Sequence, residues 1–223
     1  MVKVVTFVKR RAGMEVERFR EYWRQSHPSV VLALPGVRRY VQSHTLPGGY
    51  RRGEPVWDGV AEVWADDTDA LRAMTQSPAH ARVEADEARF LDRGAMAFIV
   101  TEEHVILDGG APADGVKCVE CVTRRPGMAV DEFQRYWRTV HGPLAARIPV
   151  LRRYVQSHTR PSAYAGGRTP RYDGVAITWF DSTQAMRESA ATPEYATTRA
   201  DEPRFVAPGP LPVIITTEHL IAG

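Results

Sequence analysis

The stretch Arg38-Arg39-Tyr40-Val41-Gln42-Ser43-His44-Thr45 occurs twice in this chain, the second time as residues 152–159. An identical stretch of this length indicates an internal repeat. Further matches run in the same order: Phe19-x-x-Tyr22-Trp23-Arg24-x-x-His27 with Phe133-x-x-Tyr136-Trp137-Arg138-x-x-His141, Asp58-Gly59-Val60-Ala61 with Asp173-Gly174-Val175-Ala176, and Asp86-Glu87-x-Arg89-Phe90 with Asp201-Glu202-x-Arg204-Phe205. The offset is 114 before the glycine-containing loop and 115 after it. We therefore predict a tandem duplication, with repeats at 1–108 and 115–223 joined by the Gly/Ala/Pro-containing linker 108–114.

The hydrophobic periods within one repeat alternate between strand and helix. Residues 2–9, 37–44, 57–65 and 97–106 have strand character, whereas 15–34 and 69–91 have helical spacing with breaks near Pro28 and Pro78. The resulting order βαββαβ predicts an α+β fold of two ferredoxin-like units. Both helical regions cover one face of such a sheet, so we expect the two units to pack sheet to sheet as an intramolecular dimeric α/β barrel, with a further homodimer as an open possibility.

Composition excludes some classes of protein. The 29 basic and 27 acidic residues give a net charge of +2, and no basic run or basic aromatic stripe points to nucleic acid. No apolar stretch approaches the ~20 residues of a membrane span. The N-terminal residues lack the pattern of a secretory signal and are predicted to form the first strand, so we expect a cytoplasmic protein.

The only cysteines, Cys118 and Cys121, have C-x-x-C spacing. They lie within a predicted strand, where residues i and i+3 point to opposite faces, and the first repeat has Val4 and Phe7 in their places. We interpret them as packing residues and not as a redox or metal site.

Taken together, Tyr-Trp-x-x-x-His, Tyr-x-Gln-x-His, Asp-Gly-Val and Asp-Glu-x-Arg-Phe resemble the EthD domain family, once in each repeat. The resemblance implies a dimeric α/β-barrel fold. It leaves the reaction open, since relatives include lactone isomerases and proteins of aromatic-polyketide dehydration or decarboxylation, and the wider superfamily includes cofactor-free monooxygenases and some haem enzymes.

The alternating side chains of the repeated strand are candidate site residues. Tyr40, Gln42 and His44 share one face, as do Tyr154, Gln156 and His158. A face this polar would leave unsatisfied groups under the helices, so we predict that it faces the interior of the barrel. A hydrated, functionless polar interior is the alternative.

The helix-end histidines, His27 and His141, are the other catalytic candidates, and the resemblance supports them. Each follows a tryptophan, Trp23 or Trp137, on the same helical stripe. The helix C-terminal dipole is expected to favour the imidazolium. A structural histidine that closes the helix over the core is the alternative.

Aromatic side chains supply candidate substrate contacts, each with packing or a flexible connection as the alternative. They are Trp23, Trp137, Trp64 and Trp179, which could stack on a planar ligand, and Tyr50 and Tyr164, which lie in long loops that could cover a pocket. Three features differ between the repeats: Thr6, Pro28 and His80 stand where the second repeat has Glu120, Gly142 and Tyr195.

A metal site is the remaining alternative, because three histidines match between the repeats, namely 27 with 141, 44 with 158 and 104 with 219. In a ferredoxin-like unit strands two and four are opposite edges, so these histidines are not expected to converge within one repeat, although His104 could approach His158. We predict no metal, no cofactor and no nucleotide, since no glycine-rich phosphate loop is present.

These residues and the resemblance together predict a cofactor-free enzyme that moves protons on a planar, oxygenated small molecule in a dehydration, decarboxylation or isomerisation. Histidine would transfer the proton, tyrosine would bind the developing oxyanion, and tryptophan would stack on the ring. The alternatives are a cofactor-free monooxygenase and a non-catalytic binding protein.

Overall fold

The computed structural model describes all 223 residues and shows the βαββαβ order twice. The first repeat contains β1 Val2–Val8, α1 Val16–Gln25, α2 Pro28–Val31, β2 Arg39–Thr45, β3 Gly59–Ala65, α3 Thr68–Gln76, α4 Pro78–Phe90 and β4 Ala97–Asp108. The second contains β5 Val116–Val122, α5 Val130–Tyr136, a π-helical turn Trp137–His141, α6 Gly142–Ala145, β6 Leu151–Thr159, β7 Gly174–Phe180, α7 Thr183–Ser189, α8 Pro193–Asp201 and β8 Val213–Ala222. None of the helices is both long and apolar enough to cross a membrane.

The helix breaks follow from the sequence. Pro28 and Pro78 stand at the first position of α2 and α4. A backbone N–H at this position has no acceptor within the helix, so its absence in proline costs no hydrogen bond. Asp67 caps α3, because its carboxylate accepts hydrogen bonds from the backbone N–H groups of Asp69 and Ala70. Both interruptions predicted from the prolines are therefore present.

The eight strands are hydrogen-bonded in the order β1-β3-β2-β8-β5-β7-β6-β4 and form a closed barrel, which confirms the predicted α/β-barrel fold. The chain forms two compact units. The first unit comprises Met1–Val100 with Glu218–Gly223, and the second unit comprises Thr101–Thr217. Each unit thus contains part of the last strand of the other repeat: the end of β8 belongs to the first unit, and most of β4 belongs to the second.

Strand register decides which side chains share a face of the first unit's sheet. Lys3 pairs with Trp64, and Glu62 pairs with both Val5 and Val41. These side chains lie on the face opposite the helices, where Lys3 and Glu62 form a buried ion pair of 2.9 Å.

The other face packs against the helices. In the first unit, Tyr40 contacts Val31 of α2 and Val83 of α4 within one apolar cluster. A second cluster joins Phe19 and Trp23 of α1 to Phe90 of α4.

Gly59 of the Asp-Gly-Val motif allows this packing to be close. A Cβ atom there would lie 2.5 Å from the Trp23 ring and 2.5 Å from the carbonyl oxygen of Ser43. Gly174 has the same relation to Trp137, at 2.5 Å. The glycine therefore lets the tryptophan of the helix rest directly on the strand, which places the adjacent residues of α1 over the sheet.

Candidate functional site

A cavity of about 440 Å³ lies between the sheet and the helices of the first unit. Trp23, His27 and Tyr40 line it together with Glu87 of α4, and most of the remaining wall is apolar. The matching cavity of the second unit measures about 480 Å³ and is lined by Trp137, His141, Tyr154 and Glu202. Volumes of this size suit a small organic molecule.

His27 is held by a carboxylate that follows 59 residues later in the chain. Its Nδ1 lies 2.8 Å from Asp86 Oδ2, and the Tyr22 hydroxyl donates to Asp86 Oδ1 at 2.6 Å. Because a carboxylate can only accept, Nδ1 carries the proton and Nε2 keeps its lone pair. The second unit repeats the arrangement, with His141 Nδ1 at 3.1 Å from Asp201 and the Tyr136 hydroxyl at 2.7 Å.

The expectation that the helix dipole favours a charged histidine is wrong. Burial lowers the pKa of His27 below its ordinary value, although Asp86 acts in the opposite direction. The pKa of His141 is lowered for the same reasons. At neutral pH both imidazoles are therefore neutral, and each can act as a base through Nε2.

The prediction that Tyr40, Gln42 and His44 face away from the helices is also wrong. Gln42 Nε2 donates to the carbonyl oxygen of Trp23 in α1 at 2.8 Å and to the Tyr40 hydroxyl at 2.8 Å, and His44 Nε2 lies 3.1 Å from Gln42 Oε1. His27 N–H bonds to the carbonyl of Tyr22, five residues back, which leaves the Trp23 carbonyl open to Gln42. The end of α1 thus provides a hydrogen-bond acceptor for this polar strand face, which therefore does not need water as its partner.

The tyrosine hydroxyl of each cavity is oriented by two donors. Tyr154 Oη accepts hydrogen bonds from Gln156 Nε2 at 3.0 Å and from Trp137 Nε1 at 3.1 Å. Tyr40 Oη likewise accepts from Gln42 and Trp23. Because both lone pairs of the phenol oxygen already accept hydrogen bonds, its remaining capacity is to donate. Each tyrosine hydroxyl can therefore donate a hydrogen bond to an oxygen atom of a ligand. Burial raises the pKa of both tyrosines, which keeps that proton in place.

Glu87 and Glu202 are site residues that the sequence hypothesis did not include. Burial in the cavity wall raises the pKa of each carboxyl to about 7. They are therefore partly protonated near neutral pH and can exchange a proton with a ligand. The signal was present, because each directly follows the aspartate of the Asp-Glu-x-Arg-Phe motif that holds the histidine.

The walls of the two cavities differ in charge arrangement. In the second unit Arg199 lies 3.1 Å from Glu120 and 2.7 Å from Glu202, and Tyr195 and Cys118 complete that side. Burial raises the pKa of the Cys118 thiol to about 12, so it is not ionised. In the first cavity Glu84 occupies the position of this arginine, and Arg93 Nε lies 3.7 Å from Glu87 Oε2 instead.

On that side of the first cavity, Thr6 and His80 replace Glu120 and Tyr195. Arg93, from the segment after α4, pairs with Glu84 at 2.5 Å. The two sites are therefore similar in their histidine, tyrosine and glutamate but not in the opposite wall.

The remaining predicted site residues do not line the cavities. Trp64 and Trp179 lie on the opposite sheet face, where lysine and arginine cations stack on their rings. Tyr50 and Tyr164 donate to Asp58 and Asp173 at 2.8 and 2.7 Å, which fixes the loops. Gln42, Gln156, His44 and His158 stand behind the cavity tyrosines and tryptophans and support them.

The strand histidines form two pairs. The His104 and His158 rings lie 4.5 Å apart, as the sequence allowed, and those of His44 and His219 lie 4.9 Å apart. His27 and His141 do not join them, because each binds its aspartate. No group of three or more His, Cys, Asp or Glu side chains is arranged to hold a metal ion.

The fold and these cavities define a class: α/β-barrel proteins built from ferredoxin-like units, with a small-molecule-sized cavity under the helices of each unit. The chain belongs to the EthD family, because the model of the EthD domain matches residues 11–94 and again 125–209.

Solved structures share the architecture at low sequence identity. An anthrone oxidase-like protein is 13% identical, with 100% of this chain and 94% of that chain covered and a TM-score of 0.67. A protein from Lactobacillus acidophilus NCFM described as a candidate monooxygenase is 11% identical, with 99% and 95% covered and a TM-score of 0.58. A candidate chlorite dismutase is 13% identical, with 99% and 94% covered and a TM-score of 0.56. No curated protein sequence matches this chain.

Proposed function

We propose that the protein is an enzyme that transfers protons on a planar, oxygenated small molecule, without a cofactor. The observation that supports it most is the convergence, in one largely apolar cavity, of a neutral histidine base, a phenol with a fixed donor direction and a carboxyl with a pKa of about 7. Such a set of groups with displaced pKa values in a cavity is typical of acid–base catalysis.

The roles follow from the protonation states. The Tyr40 hydroxyl donates to a carbonyl or phenol oxygen of the substrate and stabilises negative charge that develops there. His27 Nε2 removes a proton from an adjacent carbon, and Asp86 stabilises the imidazolium that forms. In a dehydration, the protonated Glu87 gives its proton to the departing hydroxyl group, so that water leaves and His27 later returns its proton to Glu87 through solvent. In an isomerisation, the same proton returns to a different atom.

Trp23 forms a flat wall of the cavity, which favours an aromatic or polyketide-like substrate. The second unit would use Tyr154, His141, Asp201 and Glu202 in the same roles.

A cofactor-free monooxygenase is the second candidate, and the descriptions of the structural relatives as anthrone oxidase-like and as a candidate monooxygenase favour it. Its first step is also a proton transfer, after which the substrate anion reacts with O₂. Anthrone is a suitable probe for both functions, because it is a planar aromatic ketone with an acidic methylene group. Oxidation consumes one O₂ and gives anthraquinone and one water.

The test compares two measurements on the wild-type protein with anthrone. Under argon in D₂O, NMR follows deuterium entry at the methylene carbon; in air, an oxygen electrode and absorbance follow anthraquinone. Proton-transfer catalysis predicts exchange at least ~10²-fold faster than in the His27→Ala/His141→Ala variant, without oxygen uptake. Tyr50→Phe/Tyr164→Phe, outside both cavities, is the matched control and should retain the rate.

Three other results would each change the conclusion. Oxygen uptake with anthraquinone formation would identify a monooxygenase. Quenching of tryptophan fluorescence by anthrone without exchange above buffer would identify a binding protein. Absence of both binding and exchange would contradict the aromatic-ketone substrate class.

A further inference from the structure

A cationic cluster lies beside β2 in the first unit, outside the cavity. The His44 ring stacks on Trp23 with 4.3 Å between centroids, and the His44 and His219 rings are nearly perpendicular, with 4.9 Å between centroids. The Arg24 guanidinium contacts His219 Nδ1. An arginine donates only, so the imidazole nitrogen accepts and His219 is neutral with its proton on Nε2.

Arg20 lies one helical turn before Arg24 on the same face of α1. Neither arginine has a carboxylate within ion-pair distance, whereas Arg10, Arg38 and Arg93 all do. Arg20 is nevertheless half-buried. A guanidinium prefers a planar oxyanion to a neutral imidazole as its acceptor, so this cluster has donor capacity that the protein itself does not use.

We propose that Arg20, Arg24 and His219 form a binding site for a small oxyanion, such as a phosphate or a carboxylate. The two guanidinium groups supply charge and paired donors, and His219 Nε2–H supplies a further donor. None of the three lines the cavity. The site is therefore distinct from the acid–base site and does not depend on the proposed reaction.

The electrostatics around the two histidines agree with this assignment. Burial and then the neighbouring charges of Arg24 and Arg20 lower the pKa of His219 to about 4, although Glu218 opposes them. Burial, His219 and the same arginines lower the pKa of His44 to about 2. A bound anion would offset the arginine charges, and it would therefore raise the pKa of His219.

The second unit provides a natural comparison. There Arg138 corresponds to Arg24, His104 to His219 and His158 to His44, but Gln134 replaces Arg20. Gln134 donates instead to the carbonyl oxygen of Thr159 at 2.7 Å. With one cation fewer, this second cluster should bind oxyanions much more weakly.

The experiment titrates the ¹⁵N-labelled full-length protein with sodium sulfate at pH 7, at constant ionic strength maintained with sodium chloride, and follows the ring signals of His219 and His104. Saturable shifts are expected at His219 at sulfate concentrations that leave His104 unchanged. Arg20→Gln, which copies the second unit, should weaken binding by about tenfold or more. Gln134→Arg should give His104 a sulfate response.

Benzoate in place of sulfate distinguishes a carboxylate ligand from a phosphate-like one. Equal shifts at both histidines, no shift at His219, or an unchanged response in Arg20→Gln would each overturn the proposal. Circular dichroism of the two variants separates loss of binding from loss of fold, and a folded Arg20→Gln that binds as the wild type does is decisive against the site.

Discussion

Glu87 supplies a prediction that needs no substrate. Its pKa is raised from 4.5 to about 7 because burial penalises the charged form. The folded state therefore binds the proton more tightly than the unfolded state does. The stability that protonated Glu87 contributes to the folded state is fully present below pH 4.5 and is lost as the pH rises through 7. Since one pKa unit corresponds to about 1.36 kcal/mol, Glu87 should reduce the free energy of unfolding by about 3 kcal/mol between pH 4.5 and pH 8.

The variant Glu87→Gln keeps the shape and removes the charge. Urea unfolding of the wild type and the variant at several pH values between 5 and 8 measures the difference. The variant should lose less stability over this range and should be the more stable protein at pH 8. Glu17→Gln, at an exposed position of α1, is the control and should follow the wild type. Parallel curves for wild type and Glu87→Gln would refute the argument that the cavity wall disfavours the carboxylate.

Three further outcomes are expected. Asp86→Asn can donate to His27 Nδ1 and so turn His27 Nε2 from acceptor to donor; in a His141→Ala background, which leaves only the first cavity with its histidine, stopped-flow turnover should fall ~10²-fold or more. Tyr154→Phe removes the acceptor of the Trp137 Nε1–H and of one Gln156 Nε2–H. The free energy of unfolding, measured with urea, should fall by about 2–4 kcal/mol. His27→Ala and His141→Ala should lower the total turnover of the protein by different factors, because the opposite walls of the two cavities differ. A fall to one half of the wild-type rate in each variant would contradict this.

The fold could be predicted because its signals are local and repeated. The period of the strand around Tyr40, the helical spacing through Trp23 and the proline at 78 all lie within short windows, and each recurs in the second repeat. The position of the candidate site was partly predictable for the same reason, since His27 and Tyr40 are both in repeated motifs and the structure brings them to one cavity.

The remaining features depend on contacts between distant residues. The pairing of His27 with Asp86 could not be derived from spacing, because 59 residues separate them. The face of Gln42 was predicted wrongly because the free carbonyl of Trp23 arises from a local departure from α-helical hydrogen bonding. Glu87 could not be singled out within its motif, since only three-dimensional burial distinguishes it from an exposed helix glutamate.

Both cavities belong to a single polypeptide chain. In an assembly of identical chains, a mutation changes every site at once, so a substitution that improves one site cannot be separated from its effect on the others. Here Arg199 and Glu84 occupy matching positions and have already diverged, while the histidine, tyrosine and aspartate of both copies are retained. Natural selection can therefore act on one cavity while the other keeps the ancestral chemistry, and the gene can acquire a second ligand preference without passing through a form that has lost the first.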